Sequence, residues 1–147
     1  MTTATMSKTM ELTFTRTIPA TPAEVFEAWM DPKHPGHPWT DSKKLIFDGR
    51  VDGLFYFVNV KAGGGEEWAH YGRFIAIQPN KRVQYGWMSP FTEGNESIVT
   101  VTFEKKGDDT LLTLVHANLP NNDKGRAHEK GWNSILDRMF APMRQRA

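Results

Sequence analysis

The chain has 147 residues, 39% of them hydrophobic and 24% charged, a balance that fits one globular domain with its own core and does not indicate disorder. Its net charge of +1 gives no basic footprint for nucleic acid, and the absence of cysteine removes disulfides, thiolate nucleophiles and cysteine-based metal sites. There is no apolar run of about eighteen residues to cross a membrane as a helix. Met1 to Lys8 lack the apolar stretch of a signal peptide and read as a frayed end, so a cytoplasmic single domain over 9–147 is expected.

Thr9 to Ile18 alternates Met10, Leu12, Phe14 and Arg16 with Glu11, Thr13, Thr15 and Thr17, the period of a half-exposed strand. Thr21 with Glu24 three residues on is a capping pattern, and Pro22 suits a first helical position. The helix that follows carries Val25, Phe26, Trp29 and Met30 on one side, and Asp31-Pro32 ends it. Lys33 to Thr40, with Pro35 and Pro38, is a loop. His34 and His37 in it invite a metal hypothesis, but no third ligand stands at a suitable spacing, and solvent-exposed loop histidines are the preferred reading.

Six further strands are predicted: Ser42 to Phe47, Leu54 to Val60, Glu67 to Ile77, Arg82 to Met88, Ser97 to Lys105 and Thr110 to Ala117. Gly72 within the third of these marks a bulge or bend. The glycines of Lys61 to Gly65 form a turn and not a phosphate loop, since no Gly-Lys-Ser/Thr follows. Ser89 to Glu96 reads as a polar loop. Asn122 or Asp123 can cap a final helix running to about Met143, with Trp132, Ile135, Leu136, Met139, Phe140 and Met143 on a stripe about 140° wide. Lys130, Asn133, Asp137, Arg138 and Arg144 fall opposite. Gly125 and His128 continue the stripe toward the N-terminus, so the inner face is bulky at one end and small and polar at the other. The order β-α-β-β-β-β-β-β-α predicts an α+β domain with an antiparallel sheet covered on one face by helices.

Several stretches in this order resemble the START-like (Bet v-type, SRPBCC) superfamily, and more closely its branch of heat-shock protein 90 ATPase activator homologues. They are Ile18-Pro-Ala-Thr-Pro-Ala-Glu-Val-Phe-Glu-Ala-Trp, Asp52-Gly53 before an aromatic strand, Tyr71 to Pro79, Arg82 to Trp87, Val99 to Phe103, Leu112 to His116, and Gly131-Trp132. The resemblance implies a helix-grip fold: a seven-stranded curved antiparallel sheet wrapped around a long C-terminal helix, with a short helical segment after the first strand and a cavity between sheet and helix. It also implies binding of apolar molecules, with a few members acting as cyclases or hydrolases. The activator itself has an additional N-terminal domain for which this chain has no room. Departures are Val51-Asp52-Gly53 where the family often has Gly-Gly, and Pro142, which is expected to kink or end the helix near Ala141.

The candidate ligand-binding residues are Tyr56, Tyr85, Trp87, Phe103, His116, Gly125, His128 and Trp132. Tyr56, Tyr85 and Trp87 combine an apolar body with a polar handle, and core packing accounts for them equally well. His116 shares the alternation of Leu112 and Leu114; a polar group that orients a ligand or acts as a base in a cavity is one reading, and a strand-end histidine hydrogen-bonded to backbone is preferred. For His128 the two readings are even. No Ser-His-Asp arrangement, paired carboxylates or nucleophile elbow is recognisable, and no cofactor or metal is expected. The leading function is binding of a small apolar or aromatic molecule. The alternatives are a cyclase- or hydrolase-type enzyme on such a ligand and a co-chaperone-like protein-interaction domain, and a homodimer is compatible with all three. In this reading Gly125 faces the cavity, so Gly125→Leu would fill it with little loss of stability.

Overall fold

The structure, a computed structural model, describes residues 8–40, 42–60, 63–141 and 143. Along the chain these form β1 (Thr9–Ile18), α1 (Pro22–Met30), β2 (Lys43–Phe47), β3 (Leu54–Val60), β4 (Glu67–Gln78), β5 (Arg82–Trp87), β6 (Ser97–Lys106), β7 (Asp109–Pro120) and α2 (Asp123–Met139). A single 3-10 turn, Pro90–Thr92, lies in the segment read from sequence as a polar loop. The strands make one seven-stranded antiparallel sheet in the order β1-β7-β6-β5-β4-β3-β2. Hairpins join β2 through β7, and β1 docks beside β7. This is the helix-grip α+β architecture.

Both helices start where the side chains dictate. Thr21 Oγ1 accepts the Glu24 N–H at 3.2 Å and Pro22 opens α1, while Asn122 Oδ1 accepts the Gly125 N–H at 3.1 Å at the head of α2. Each removes an otherwise orphaned donor from the first turn. Asp31 caps the other end of α1. The final helix stops at Met139 with Phe140 as its cap, two residues short of the break expected near Ala141. Pro142 and Arg144 lie outside the described residues, as do Lys61 and Ala62 of the predicted turn and the predicted frayed end through Ser7.

The core fills the space between the inner face of the sheet and the two helices. Phe55, Phe57, Phe74, Tyr85, Trp87, Val99, Val101, Phe103, Leu112 and Leu114 supply the sheet side, and Val25, Trp29, Trp132, Leu136 and Met139 supply the helix side. Gly72 allows β4 and β5 to approach: a Cβ there would collide with the Gly86 carbonyl and the Phe55 ring. The register shift of β4 against β5 falls between Phe74 and Ala76, beside this contact. At the far end of the molecule, Arg16 on β1 reaches α2, donating to Asn133 Oδ1 at 2.8 Å and pairing with Asp137 at 3.1 Å.

The loop Lys33 to Thr40 corrects an expectation. His37 is buried, at 1% exposure, with its ring edge-on to Trp39 and Phe47 at 5.4 and 5.1 Å. Its Nδ1 lies 3.3 Å from the Ala28 carbonyl, which fixes the proton there. A loop with two prolines need not be exposed: Gly36 lies against the end of α2 at Met139, and Arg138 Nη2 donates to the Pro38 carbonyl at 2.9 Å. The loop is therefore a lid on the core, not a solvated connection. Among the described residues no three His, Asp or Glu side chains are grouped to hold a metal ion, and no helix is long and apolar enough to cross a membrane.

Candidate functional site: an aromatic groove beside the final helix

The buried stripe of α2 consists of Gly125, His128, Trp132, Leu136 and Met139, at intervals of three and four residues. Next to it runs a second row, Ala127, Gly131 and Ser134, whose side chains are too short to reach the sheet. A cavity of about 520 Å³, partly open to solvent, occupies the space they leave. The α2 wall consists of Ala127, His128, Lys130, Gly131, Trp132, Ser134 and Ile135; the facing wall consists of Asn59 from β3, Trp68 and His70 from β4, Trp87 from β5 and Phe91 from the 3-10 turn. This volume falls within the usual range for small-molecule sites, which are mostly apolar with a few placed polar groups. Aromatic rings form much of the lining. Trp87 and Trp132 meet at 5.4 Å, Trp68 stands edge-on to Phe91 at 5.1 Å, and His70 stacks on Phe57 at 4.9 Å.

Under this lining lies a closed hydrogen-bond chain. Trp132 Nε1–H donates to His116 Nδ1 at 2.9 Å, so Nδ1 must carry the lone pair and Nε2 the proton. His116 Nε2–H then donates to Ser97 Oγ at 2.7 Å, and the Ser97 hydroxyl donates to the Trp87 carbonyl at 2.7 Å. Every member is buried and every proton has an acceptor. Burial, with His128 edge-on at 4.9 Å, holds the His116 imidazole well below its ordinary value. Protonating it would also set an N–H against the Trp132 N–H. His116 is thus a structural connector between β5, β6, β7 and α2, and neither ring nitrogen is free to serve as a base.

His128 and His70 differ from it. His128 Nδ1 lies 3.0 Å from the Gly125 carbonyl, which places the proton on Nδ1 and the lone pair on Nε2. Nε2 is buried and has no hydrogen-bond partner among the described residues. His70 Nδ1 lies 3.2 Å from the Trp68 carbonyl and fixes the same tautomer, again leaving the Nε2 lone pair unpaired among the described residues. Burial lowers both pKa values, His70 to about 4 with His128 adding to the effect, so both rings are neutral at pH 7.

The eight residues singled out from sequence separate into three groups. Trp87, His128 and Trp132 line the cavity, and His116 sits beneath it. Tyr85 and Phe103 are in the solid core: Tyr85 is fully buried against Phe55, Phe74 and Trp39, and Phe103 packs edge-on to Phe26 and Trp29. Burial raises the Tyr85 phenol above its ordinary value. Tyr56 points away from the site, because the strand alternation that buries Phe55 and Phe57 turns it to the outer face between Ile46 and Tyr71. Gly125 is a correction: it does not face the cavity but lies on the end of β7, where a Cβ would collide with the Pro120 carbonyl oxygen. The glycine of α2 that opens onto the cavity is Gly131, whose Cβ would meet nothing within 4 Å. Sequence reading also missed Asn59, Trp68, His70 and Phe91. The one available signal was Ala127, Gly131 and Ser134 at intervals of four and three beside a bulky stripe.

A curved antiparallel sheet gripping a long helix, with a cavity between them, defines a START-like domain. The chain belongs to the family described as activator of Hsp90 ATPase homolog 1-like proteins, whose model matches residues 19–143. No curated protein matches it. Solved structures do. Protein CV1439 from Chromobacterium violaceum is similar at 22% identity, with a TM-score of 0.78 over 91% of this chain and 97% of that one. Mll3558 from Rhizobium loti is similar at 26% identity, with a TM-score of 0.76 over 90% and 96%. An HSP90 activator from Plasmodium falciparum, PFC0360w, is similar at 24% identity, with a TM-score of 0.68 over 85% and 89%. Membership suggests a ligand-binding or co-chaperone-like domain and specifies neither.

Proposed function

We propose that this protein binds a small aromatic or apolar molecule in the groove between the flank of α2 and strands β3 to β5. The observation that carries this reading is the cavity of about 520 Å³ walled by Trp68, Trp87, Phe91 and Trp132. Solid packing was the alternative, and Tyr85 and Phe103 follow it, but the row Ala127, Gly131 and Ser134 keeps the helix flank clear of the sheet. Native mass spectrometry of protein purified from its own host tests the reading. A retained small molecule that quenches the tryptophan fluorescence on return to stripped protein is expected. Failure of host extracts and of an aromatic compound panel to change that fluorescence would refute it.

A second reading, as a co-chaperone-like interaction domain, has its own observation. On the outer face Ile46, Tyr56 and Tyr71 are cross-strand neighbours and Leu54 shares their face, with Ile46 62%, Leu54 64% and Tyr71 40% exposed. A contiguous apolar patch on a sheet suits a protein partner. Capture of heat-shock protein 90 under nucleotide-bound conditions, lost on Ile46→Glu with Leu54→Glu, would support it. Absence of capture by the unaltered protein would count against it.

A further inference from the structure

We infer that the groove selects ligands that present a hydrogen-bond donor to its buried end, as a phenol or an aromatic N–H does, and discriminates against aromatic carboxylates and ethers of the same size. The inference rests on the groove being a binding site, as proposed above, and adds the chemistry of what it takes.

The carrying observation is the tautomeric state of two imidazoles. His70 is 6% exposed and His128 8% exposed, and both line the cavity. Each gives its only proton to a backbone carbonyl, His70 to Trp68 and His128 to Gly125. Each therefore presents an Nε2 lone pair that has no hydrogen-bond partner among the described residues, buried in His128 and not sealed in His70. The His128 nitrogen is sealed from solvent and is costly to leave unmet; the His70 nitrogen is not sealed, and a ligand that displaced water from it would have to replace that hydrogen bond with a donor of its own. The third imidazole, His116, shows what satisfied looks like in the same wall: its lone pair is taken by Trp132 Nε1.

A carboxylate is the rival occupant, because Trp87 Nε1 is also buried with no partner among the described residues and Lys130 stands at the rim. It would satisfy those two groups, but it has no proton to give and would set its charge against the imidazole lone pairs, having lost its water. A hydroxyl group answers both kinds of vacancy, donating to an imidazole nitrogen while its oxygen remains free to accept an N–H. An ether accepts and cannot donate.

The test uses 2-naphthol, 2-methoxynaphthalene and 2-naphthoate as probes, titrated into the full chain at pH 7 and followed by tryptophan quenching and calorimetry. The ratio of naphthol to methoxynaphthalene affinity is expected to fall by roughly tenfold, about 1.4 kcal/mol, on His70→Leu, and to be largely retained in His70→Gln, which keeps an acceptor. Long-range proton–nitrogen NMR of the unaltered protein reads the same point without a variant. Nε2 of His70 and His128 should be unprotonated in the free protein, and at least one should shift on naphthol addition. An unchanged ratio in His70→Leu, or a protonated Nε2 in both rings, overturns the inference and leaves the groove as a binding site. Naphthoate binding tightest, with loss on Lys130→Ala, also overturns it and assigns the anion site instead. If none of the three probes binds the unaltered protein, the groove reading fails and takes the inference with it.

Discussion

Acidification between pH 6.5 and 5, above the range where ordinary carboxylates titrate, should destabilise this protein through its buried histidines. His37 and His70 are 1% and 6% exposed, and burial lowers each from an ordinary 6.5 to about 4. Between those values each ring is neutral in the folded chain and protonated in the unfolded one. The unfolded state then binds more protons, so stability is fully present above pH 6.5, falls as pH drops, and stops falling through these groups below about 4. At pH 5 each histidine takes up close to one proton on unfolding, and one proton corresponds to about 1.4 kcal/mol per pH unit. The pair should give a slope of roughly 2 kcal/mol per pH unit. His116 and His128, also lowered by burial, add in the same direction. Urea unfolding followed by tryptophan fluorescence at half-unit steps from pH 7.5 to 4.5 measures this slope. His70→Phe, which keeps a ring between Phe57 and Trp87, should remove about 1 kcal/mol per pH unit from it, whatever it does to stability at pH 7. A flat profile between pH 6.5 and 5, or the same slope in His70→Phe, would refute the assignment of these rings as neutral and buried.

Substitutions at three positions test the packing of α2. Gly125→Ala should destabilise by about 1–3 kcal/mol despite its better helix propensity, because the new methyl meets the Pro120 carbonyl and not a movable side chain; equilibrium denaturation reads it. Gly131→Ala, with open space around its Cβ, should instead stabilise by about 0.5–1 kcal/mol, and Gly131→Trp should block aromatic probes in the same fluorescence titration. Trp132→Phe should cost about 1–3 kcal/mol, since it leaves the buried His116 Nδ1 without its donor; unchanged stability would mean that water replaces the indole.

The element order and most strand limits were legible because period-two alternation and capping residues are local. Thr21, Pro22 and Asn122 announced helix starts that the backbone then used. The 3-10 turn at Pro90–Thr92 left no trace, since three residues carry no periodicity. His37 was misjudged because a Pro-rich loop was equated with exposure, whereas what buries it is the loop's docking on α2, a contact across about a hundred residues of sequence. The site was legible in part. A helical wheel shows which side of α2 is bulky, but not where along the sheet that side lands. The wheel therefore placed Gly125 at the cavity and gave Gly131 no role, although one meets the Pro120 carbonyl and the other open space. His70 was hidden for a related reason: in the sequence it is one polar residue in a mixed strand, and only the packing of Phe57, Trp87 and α2 around β4 makes it a wall of the groove.

The three histidines near the groove have similar surroundings and different chemistry, and the difference lies in what each ring's nitrogens meet. His116 spans two side chains and is closed at both ends, so its contribution is to hold two indoles: Trp132 directly, and Trp87 through Ser97 and the backbone of β5. Those indoles are part of the groove lining, so a buried polar chain fixes the shape of an apolar surface. His70 and His128 each spend their proton on a local carbonyl, two and three residues away, and keep a lone pair with nothing to receive. Local bonding fixes their tautomers before any ligand arrives. The groove thus has rigid aromatic walls set by long-range contacts and an acceptor pair set by short-range ones. A ligand that met only the walls would leave the buried His128 nitrogen unsatisfied and strip the His70 nitrogen of water, which is why its polar end, and not its ring system, should decide which aromatic molecule binds.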